Sequence, residues 1–364
     1  MRAIITAGGT GGHIYPALAI YDKIMEMEPD SKILYIGTTD RMEKDIVPNK
    51  NIDYIGLEVY GISRSLSLKN IKSIICYLKA IRKSKKILKD FKPDIVIGVG
   101  GYISAPVLKA AHKLNIKTVI HEQNSFFGLA NKVLLNKADL IFTSFPDTIN
   151  YALKYKYKVI YTGNPCSEAA LIKKVRNKEE LGFSTSKKLI MILMGSLGSK
   201  VVNDKMKKII LKFKNKSYEV LFVTGKDYYD EFKDIKIDNV RIFPFIEDIV
   251  RVMKDTDLVV SRAGATTISE IVSLSIPSIL VPSPYVADNH QYKNAMDLVN
   301  ENAAILLEEK HIEELVENID KVINDTNKLN ELKTNLSKFK VNNSSTTIYE
   351  NIKKLIGEQY EYNK

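Results

Sequence analysis

His13 closes the run Gly8-Gly9-Thr10-Gly11-Gly12-His13, directly ahead of Ile14-Tyr15-Pro16. Four glycines let the backbone come close to a ligand, and the N–H groups at a helix start favour an anion. Imidazole titrates near neutral pH, so a histidine at this mouth can take a proton beside a phosphate-bearing ligand. The same residues also suit a plain packing turn with a histidine cap. No Gly-Lys-Ser/Thr follows, so the run is not a P-loop, and it does not spell the GxGxxG dinucleotide fingerprint.

Two later stretches carry related chemistry. Arg262-Ala263-Gly264-Ala265 leads into Thr266-Thr267-Ile268-Ser269-Glu270. The free N–H groups and threonine hydroxyls of that helix start make a seat for a diphosphate. Glu270 can accept bonds from the two hydroxyls of a ribose, or simply compensate the helix dipole. Asp288-Asn289-His290-Gln291-Tyr292-Lys293-Asn294 offers a row of polar side chains suited to a sugar, or to capping by Asp288 or Asn289. In the first half, His121-Glu122-Gln123-Asn124 and Gly98-Val99-Gly100-Gly101-Tyr102 each follow an apolar run. None of the five histidines forms an HxxxH or HxH pair, so no zinc site is expected. There is no GxSxG elbow.

These loops need strands and helices to hold them. Ala3-Ile4-Ile5-Thr6-Ala7 reads as a buried strand, and the segment from Ala17 to Ile24 as a helix with Pro16 in its first turn. Strands are predicted at 2–7, 33–37, 53–58, 94–98, 117–120, 139–143 and 158–161, with helices between them. The pattern restarts at Leu189–Met194, with further strands at 218–223, 239–243, 257–261, 278–281 and 303–307. This rhythm implies parallel sheets covered by helices, with ligands at the carboxyl ends of the strands. The expected organisation is two Rossmann-like domains. Residues 1–162 form the first, completed by a C-terminal helix over 344–364, and residues 163–343 form the second.

The chain has 364 residues, 45% hydrophobic and 27% charged, a globular composition with room for two domains. Its longest uncharged apolar run, Ile95–Leu108, is too short to span a bilayer, and no signal-peptide pattern opens the chain. Cys76 and Cys166 make neither a disulfide framework nor a CxxC pair, which suits a reducing cytoplasm. The net charge of +11 is uneven. Residues 1–162 hold 24 Lys and Arg against 14 Asp and Glu, while the rest is nearly balanced. Within 64–92 lie Arg64, Lys69, Lys72, Lys79, Arg82, Lys83, Lys85, Lys86, Lys89 and Lys92, against the single acid Asp90. Leucines and isoleucines interleave with them. Such a segment suits an anionic membrane surface, where each lysine contributes about 1 kcal/mol, or a sheet-covering helix with a solvated basic face.

Seven motifs in order, GGTGGHIYP (8–16), GVGGYIS (98–104), HEQN (121–124) with Gly128 and Asn131-Lys132, GNP (163–165), GSLG (195–198), RAGATTISE (262–270) and DNHQYKNA (288–295), resemble the MurG family of N-acetylglucosaminyltransferases. The resemblance runs over nearly the whole chain. It implies the α/β GT-B glycosyltransferase fold, two Rossmann-like domains with parallel sheets facing a central cleft, the acceptor domain first. It implies an inverting transfer of GlcNAc from UDP-GlcNAc to the C4 hydroxyl of the MurNAc unit of lipid I, giving lipid II for peptidoglycan. By the family pattern, Thr10, Gly11, Gly12 and Asn124 help hold the donor, and Ser196 with Arg262, Gly264, Ala265 and Thr266 seats nucleotide and diphosphate. The backbone of Ile246 would meet uracil, Glu270 the ribose, and Gln291 with Asn294 the GlcNAc hydroxyls. His13 is the expected general base, with Tyr102 and Glu122 as second candidates for acceptor handling. Lys79, Arg82, Lys83, Lys85 and Lys86 fit the membrane-facing patch of such an enzyme. The implied location is peripheral, on the cytoplasmic face of the cell membrane, beside the cell-wall synthesis machinery. No tightly bound cofactor is implied, and Mg2+ stimulation would act through the diphosphate.

The chain departs from the family at Leu197, where a glutamine is usual, at Ser167, where an arginine is usual, and at Ala263, where a serine is frequent. The rival readings are a diacylglycerol glycosyltransferase and a UDP-GlcNAc 2-epimerase. A basic nucleic-acid-binding protein would leave the glycine loops without a role and shows no RNP or zinc-finger pattern.

Overall fold

A computed structural model describes residues 1–61, 68–195 and 198–357. Arg64, Leu66, Ser196, Leu197 and the tail 358–364 lie outside the described residues. The chain divides into two units, Met1–Cys166 with Asn343–Lys364, and Ser167–Asn342.

The first unit is a seven-stranded parallel sheet in the order β3-β2-β1-β4-β5-β6-β7. Its strands are β1 Arg2–Thr6, β2 Lys32–Thr38, β3 Asp53–Leu57, β4 Ile95–Gly98, β5 Lys117–Glu122, β6 Leu140–Thr143 and β7 Val159–Tyr161. Helices α1 Gly11–Met27, α2 Glu43–Ile46, α3 Leu68–Phe91, α4 Ser104–His112 and α5 Leu129–Lys132 connect them. Both faces of β1 are covered, which is why Ala3-Ile4-Ile5 is continuously apolar rather than alternating. Ile4 packs with Ala80, Ile81 and Val107 on one face. Ala3 and Ile5 pack with Ile14, Leu18, Ile348 and Ile352 on the other. The last two belong to the C-terminal helix Ser344–Leu355, so the chain end completes the first unit. That helix is tied at Glu28, which receives Lys353, the Met1 ammonium and the Tyr349 hydroxyl. Burial works to raise the Glu28 pKa, but these three partners prevail and hold it at about 2.

The strand order reverses between β1 and β4, and register aligns their ends: Thr6 pairs with Ile36 on β2 and with Gly98 on β4. The loops after β1 and β4 therefore leave the same sheet edge side by side, the place where open α/β sheets bind ligands.

The Thr10 carbonyl accepts from the amides of His13 at 3.0 Å and Ile14 at 3.2 Å, so α1 winds from Gly11. His13 thus sits in the first helical turn rather than in the loop mouth. Pro16 falls inside the helix, where it forgoes one ladder hydrogen bond.

The second unit repeats the plan with six parallel strands in the order β10-β9-β8-β11-β12-β13. They are β8 Leu189–Leu193, β9 Glu219–Val223, β10 Val240–Phe243, β11 Leu258–Ser261, β12 Ser278–Leu280 and β13 Ile305–Leu306. Its helices are α6 Pro165–Ile172, which starts in the first unit, then α7 Lys200–Ile209, α8 Ile249–Met253, α9 Ala265–Leu274, α10 His290–Val299, α11 Leu315–Ile323 and α12 Thr326–Leu336. The C-terminal helix of the first unit is α13. Here the order reverses between β8 and β11, which aligns the loops that follow Leu193 and Ser261.

Candidate active site

In the first unit, the β4 loop turns through two left-handed glycines, Gly100 (φ 100°) and Gly101 (φ 82°). A Cβ on Gly101 would collide with the Gly8 carbonyl, so the two glycine loops stack backbone on backbone. A Cβ on Gly100 would stand 2.9 Å from His13 Nε2. The Cδ2–Nε2 edge of the His13 ring therefore lies against Gly100, while Nδ1 lies 3.4 Å from the Thr10 hydroxyl. Ser104 Oγ fixes the corner, 2.7 Å from the Gly100 carbonyl and 3.0 Å from that of Thr6. His13 is half-buried and Thr10 exposed.

The residues at the end of β5 form a closed network. His121 Nε2 lies 3.1 Å from the Gly163 carbonyl, which can only accept, so Nε2 carries the proton. Nδ1 then accepts from the Gln123 amide at 2.9 Å. The same Gln123 nitrogen donates to Val99 O at 3.0 Å, which sets the amide's orientation. Burial lowers the His121 pKa to about 4 despite the Gly163 carbonyl, so the ring is neutral. Glu122 is buried with both oxygens occupied. Oε1 accepts from the Asn124 backbone and side chain at 3.1 and 3.2 Å, and Oε2 from Gly128 N and Asn131 Nδ2, each at 2.9 Å. Burial raises its pKa, and those four donors pull it back. Tyr102 is exposed with its ring over Gly61.

In the second unit, Gly264 caps α9 with extended backbone, and its carbonyl accepts from Ile268 N at 2.9 Å. Ala265 is buried, and Thr266 and Glu270 are half-buried. Desolvation lifts the Glu270 pKa to about 7, with Lys173 opposing and Asp248 assisting. Lys173 and Asp248 are themselves an ion pair. Arg262 is buried, and its guanidinium pairs with Glu309 and donates to Ser199 Oγ at 2.8 Å and Val281 O at 3.2 Å. Asn294 is fully buried, with Nδ2 3.3 Å from Ala263 O, and Gln291 Oε1 accepts from Ser283 N at 2.9 Å. Ile246 is buried beside the exposed ring of Phe245.

Residues 3–143 match the glycosyltransferase family 28 N-terminal domain and residues 189–348 its C-terminal domain. The chain belongs to glycosyltransferase family 28. Within this family it is 41% identical to the UDP-N-acetylglucosamine–N-acetylmuramyl-(pentapeptide) pyrophosphoryl-undecaprenol N-acetylglucosamine transferase 1 of Bacillus cereus, over 98% of this chain and 100% of the relative. The corresponding transferase of Listeria welshimeri is also 41% identical, over 92% of this chain and 93% of its own. Among solved structures, Acinetobacter baumannii MurG matches with a TM-score of 0.76 at 25% identity, covering 97% of this chain and 99% of that one. A UDP-GlcNAc 2-epimerase from Neisseria meningitidis matches with a TM-score of 0.68 at 17% identity, over 97% and 100% of the two chains, which shows a shared fold alone. The two Rossmann-like units are those of the GT-B fold.

Against this family-28 frame, the loops singled out in the sequence all leave the carboxyl ends of strands. His13, Gly100 and Gly101 share one corner. Arg262, Gly264 and Asn294 share another, but Arg262 and Asn294 hold the loop through buried bonds. Ser167, where the family usually has arginine, is buried with Oγ 3.4 Å from the Ser269 carbonyl. Sequence reading missed Glu43, Glu309 and the Lys173–Asp248 pair. All are single charged residues without a repeat or spacing to mark them, and only their partners reveal them.

The basic segment resolves into two faces of α3. Ser73, Cys76, Ala80, Ile81, Ser84 and Leu88 are buried. Ile71, Ile74, Ile75 and Leu78 are each about half exposed, and Lys79, Arg82, Lys83 and Lys86 are exposed around them, with Lys85 half-buried. Among the described residues, no helix is long and apolar enough to cross a membrane.

Proposed function

We propose that this chain transfers GlcNAc from UDP-GlcNAc to the C4 hydroxyl of the MurNAc unit in the lipid-linked MurNAc-pentapeptide, forming lipid II from lipid I with inversion. The match over more than nine-tenths of each chain to the transferases of Bacillus cereus and Listeria welshimeri is the observation that carries it. The second unit takes the nucleotide sugar, with the start of α9 facing the diphosphate, Glu270 the ribose, Ile246 the uracil, and Gln291 the sugar. In the reaction the acceptor oxygen attacks the anomeric carbon, the bond from that carbon to UDP breaks, and a base takes the hydroxyl proton. His13 is that base. Support for it comes from its ring edges: one leans on Gly100, and Nδ1 lies on the exposed side beside Thr10. With both oxygens occupied, Glu122 acts by shaping the loop that presents Asn124 and not by moving a proton. Any Mg2+ effect is assigned to the substrate diphosphates.

The exposed isoleucines and lysines of α3 support a peripheral seat on an anionic membrane at the cytoplasmic face, where the lipid acceptor is presented. Incubation with radiolabelled UDP-GlcNAc and a lipid I analogue, with diacylglycerol and no-acceptor controls, tests the reading. Label on the lipid I analogue alone supports it. Label on diacylglycerol, or epimerised sugar without acceptor, overturns it. In the same assay His13→Ala is expected to lower turnover at least a hundredfold while UDP affinity is kept.

A further inference from the structure

Glu43 is fully buried, yet it belongs to no core ion pair among the described contacts and to none of the sequence motifs. It opens α2, just beyond the carboxyl end of β2. One carboxylate oxygen, Oε1, accepts from the Thr38 amide at 3.0 Å and the Thr38 hydroxyl at 2.7 Å. The other, Oε2, accepts from the Gly9 amide at 3.0 Å. Its carboxylate also fills the space in which a Gly8 side chain would stand. Tyr54, on β3, donates to the Thr38 carbonyl at 2.5 Å and closes the group from the far side.

We infer that Glu43 is a positioning residue for the transfer reaction, holding the glycine loop after β1 and so placing the first turn of α1 with His13. The geometry gives the reason for a carboxylate. Gly9 has a left-handed backbone (φ 98°) with no Cβ to pack, so a hydrogen bond is what restrains it. That bond must come from an acceptor, and so must both bonds to Thr38. A carboxylate offers acceptors on both oxygens, whereas an amide offers one acceptor and one donor. In Glu43→Gln, the oxygen stays with the two donors of Thr38 and the NH2 group meets the Gly9 N–H. The side chain keeps its volume and the loop loses its tether. The Glu43 bond also occupies the Gly9 N–H, which is then not left to donate to a ligand.

The inference rests on the reading of His13 as the base. Its test compares Glu43→Gln, His13→Ala, the double variant, and Ile4→Val, which trims the core beneath the same strand as a stability control. Turnover with the lipid I analogue, Tm and UDP affinity are measured for each. Glu43→Gln is expected to lower kcat at least tenfold with UDP affinity within twofold of the parent and Tm no lower than that of Ile4→Val. The double variant is expected to be no slower than His13→Ala, because both changes disable one device. Parental kcat in Glu43→Gln beside an inactive His13→Ala overturns this inference and leaves the base assignment standing. So does a loss that Ile4→Val reproduces, or losses that multiply in the double variant. Parental turnover in His13→Ala overturns the base assignment, and this inference with it.

Discussion

The Arg262 guanidinium is paired with the Glu309 carboxylate, and both are buried. The loop that carries Arg262 begins at the end of β11, and Glu309 lies after β13, so the pair locks two distant parts of the second unit together. Removing Glu309 alone strands a buried cation. Glu309→Gln is expected to cost about 3–5 kcal/mol in urea denaturation. The double change Arg262→Met with Glu309→Leu is expected to recover most of it. If that double variant also keeps parental UDP affinity, Arg262 serves the loop and not the diphosphate; a large loss of affinity returns it to direct contact.

Glu270 combines a carboxyl pKa of about 7 with a place in the second turn of the helix proposed to receive the nucleotide. If ribose hydroxyls donate to its ionised form, the free enzyme must lose that proton before binding. UDP is then expected to bind about tenfold more weakly at pH 6 than at pH 8, from the protonated fraction alone. Calorimetry checks this, and Glu270→Gln is expected to flatten the dependence. A parent protein whose affinity is flat over that range excludes Glu270 as the ionised ribose ligand.

His121 is neutral because burial lowers its pKa to about 4, against about 6.5 in the unfolded chain. Above pH 6.5 both states are neutral and nothing is lost. As pH falls from 6.5 to 4, the unfolded state takes up a proton that the native state refuses, and stability declines by about 3 kcal/mol. Below 4 this contribution levels off. Thermal melts across the window are expected to show the decline, and His121→Gln to reduce its slope there. An unchanged slope would mean another group titrates.

The α3 surface predicts salt-sensitive membrane binding. Reversing Lys79, Lys83 and Lys86 to glutamate removes three contacts of about 1 kcal/mol each and adds repulsion. Cosedimentation with phosphatidylglycerol vesicles is expected to fall more than tenfold, and parental binding to weaken as salt rises. Replacing Ile74 and Ile75 with serine should weaken binding at every salt concentration. Retention by both variants would return α3 to an ordinary solvated helix.

Much of the fold was legible in the chain. Strands buried on both faces give uninterrupted apolar runs, so each predicted strand lies within a residue or two of an observed one. The start of α1 was not, because winding from Gly11 depends on the Thr10 carbonyl finding the amides of His13 and Ile14, and glycine propensity argues against it. The amphipathic character of α3 was plain, but which isoleucines stay exposed was decided by which side of the helix met the sheet.

The site divides along the same line. Residue types and spacing determined where the candidate site loops lie, since glycine runs, helix starts and polar clusters after strands are local features that chemistry demands locally. They also determined the family, because several such motifs recur in order. Tertiary structure alone decided which of those side chains stay open to solvent and which hold the loops. Arg262 and Asn294 are taken up by Glu309 and Ala263, Glu122 by four donors, and Gly9 by Glu43. The physical reason is that a buried polar group must find a partner within about 3 Å. The identity of that partner depends on chain segments that meet only when the sheet is assembled.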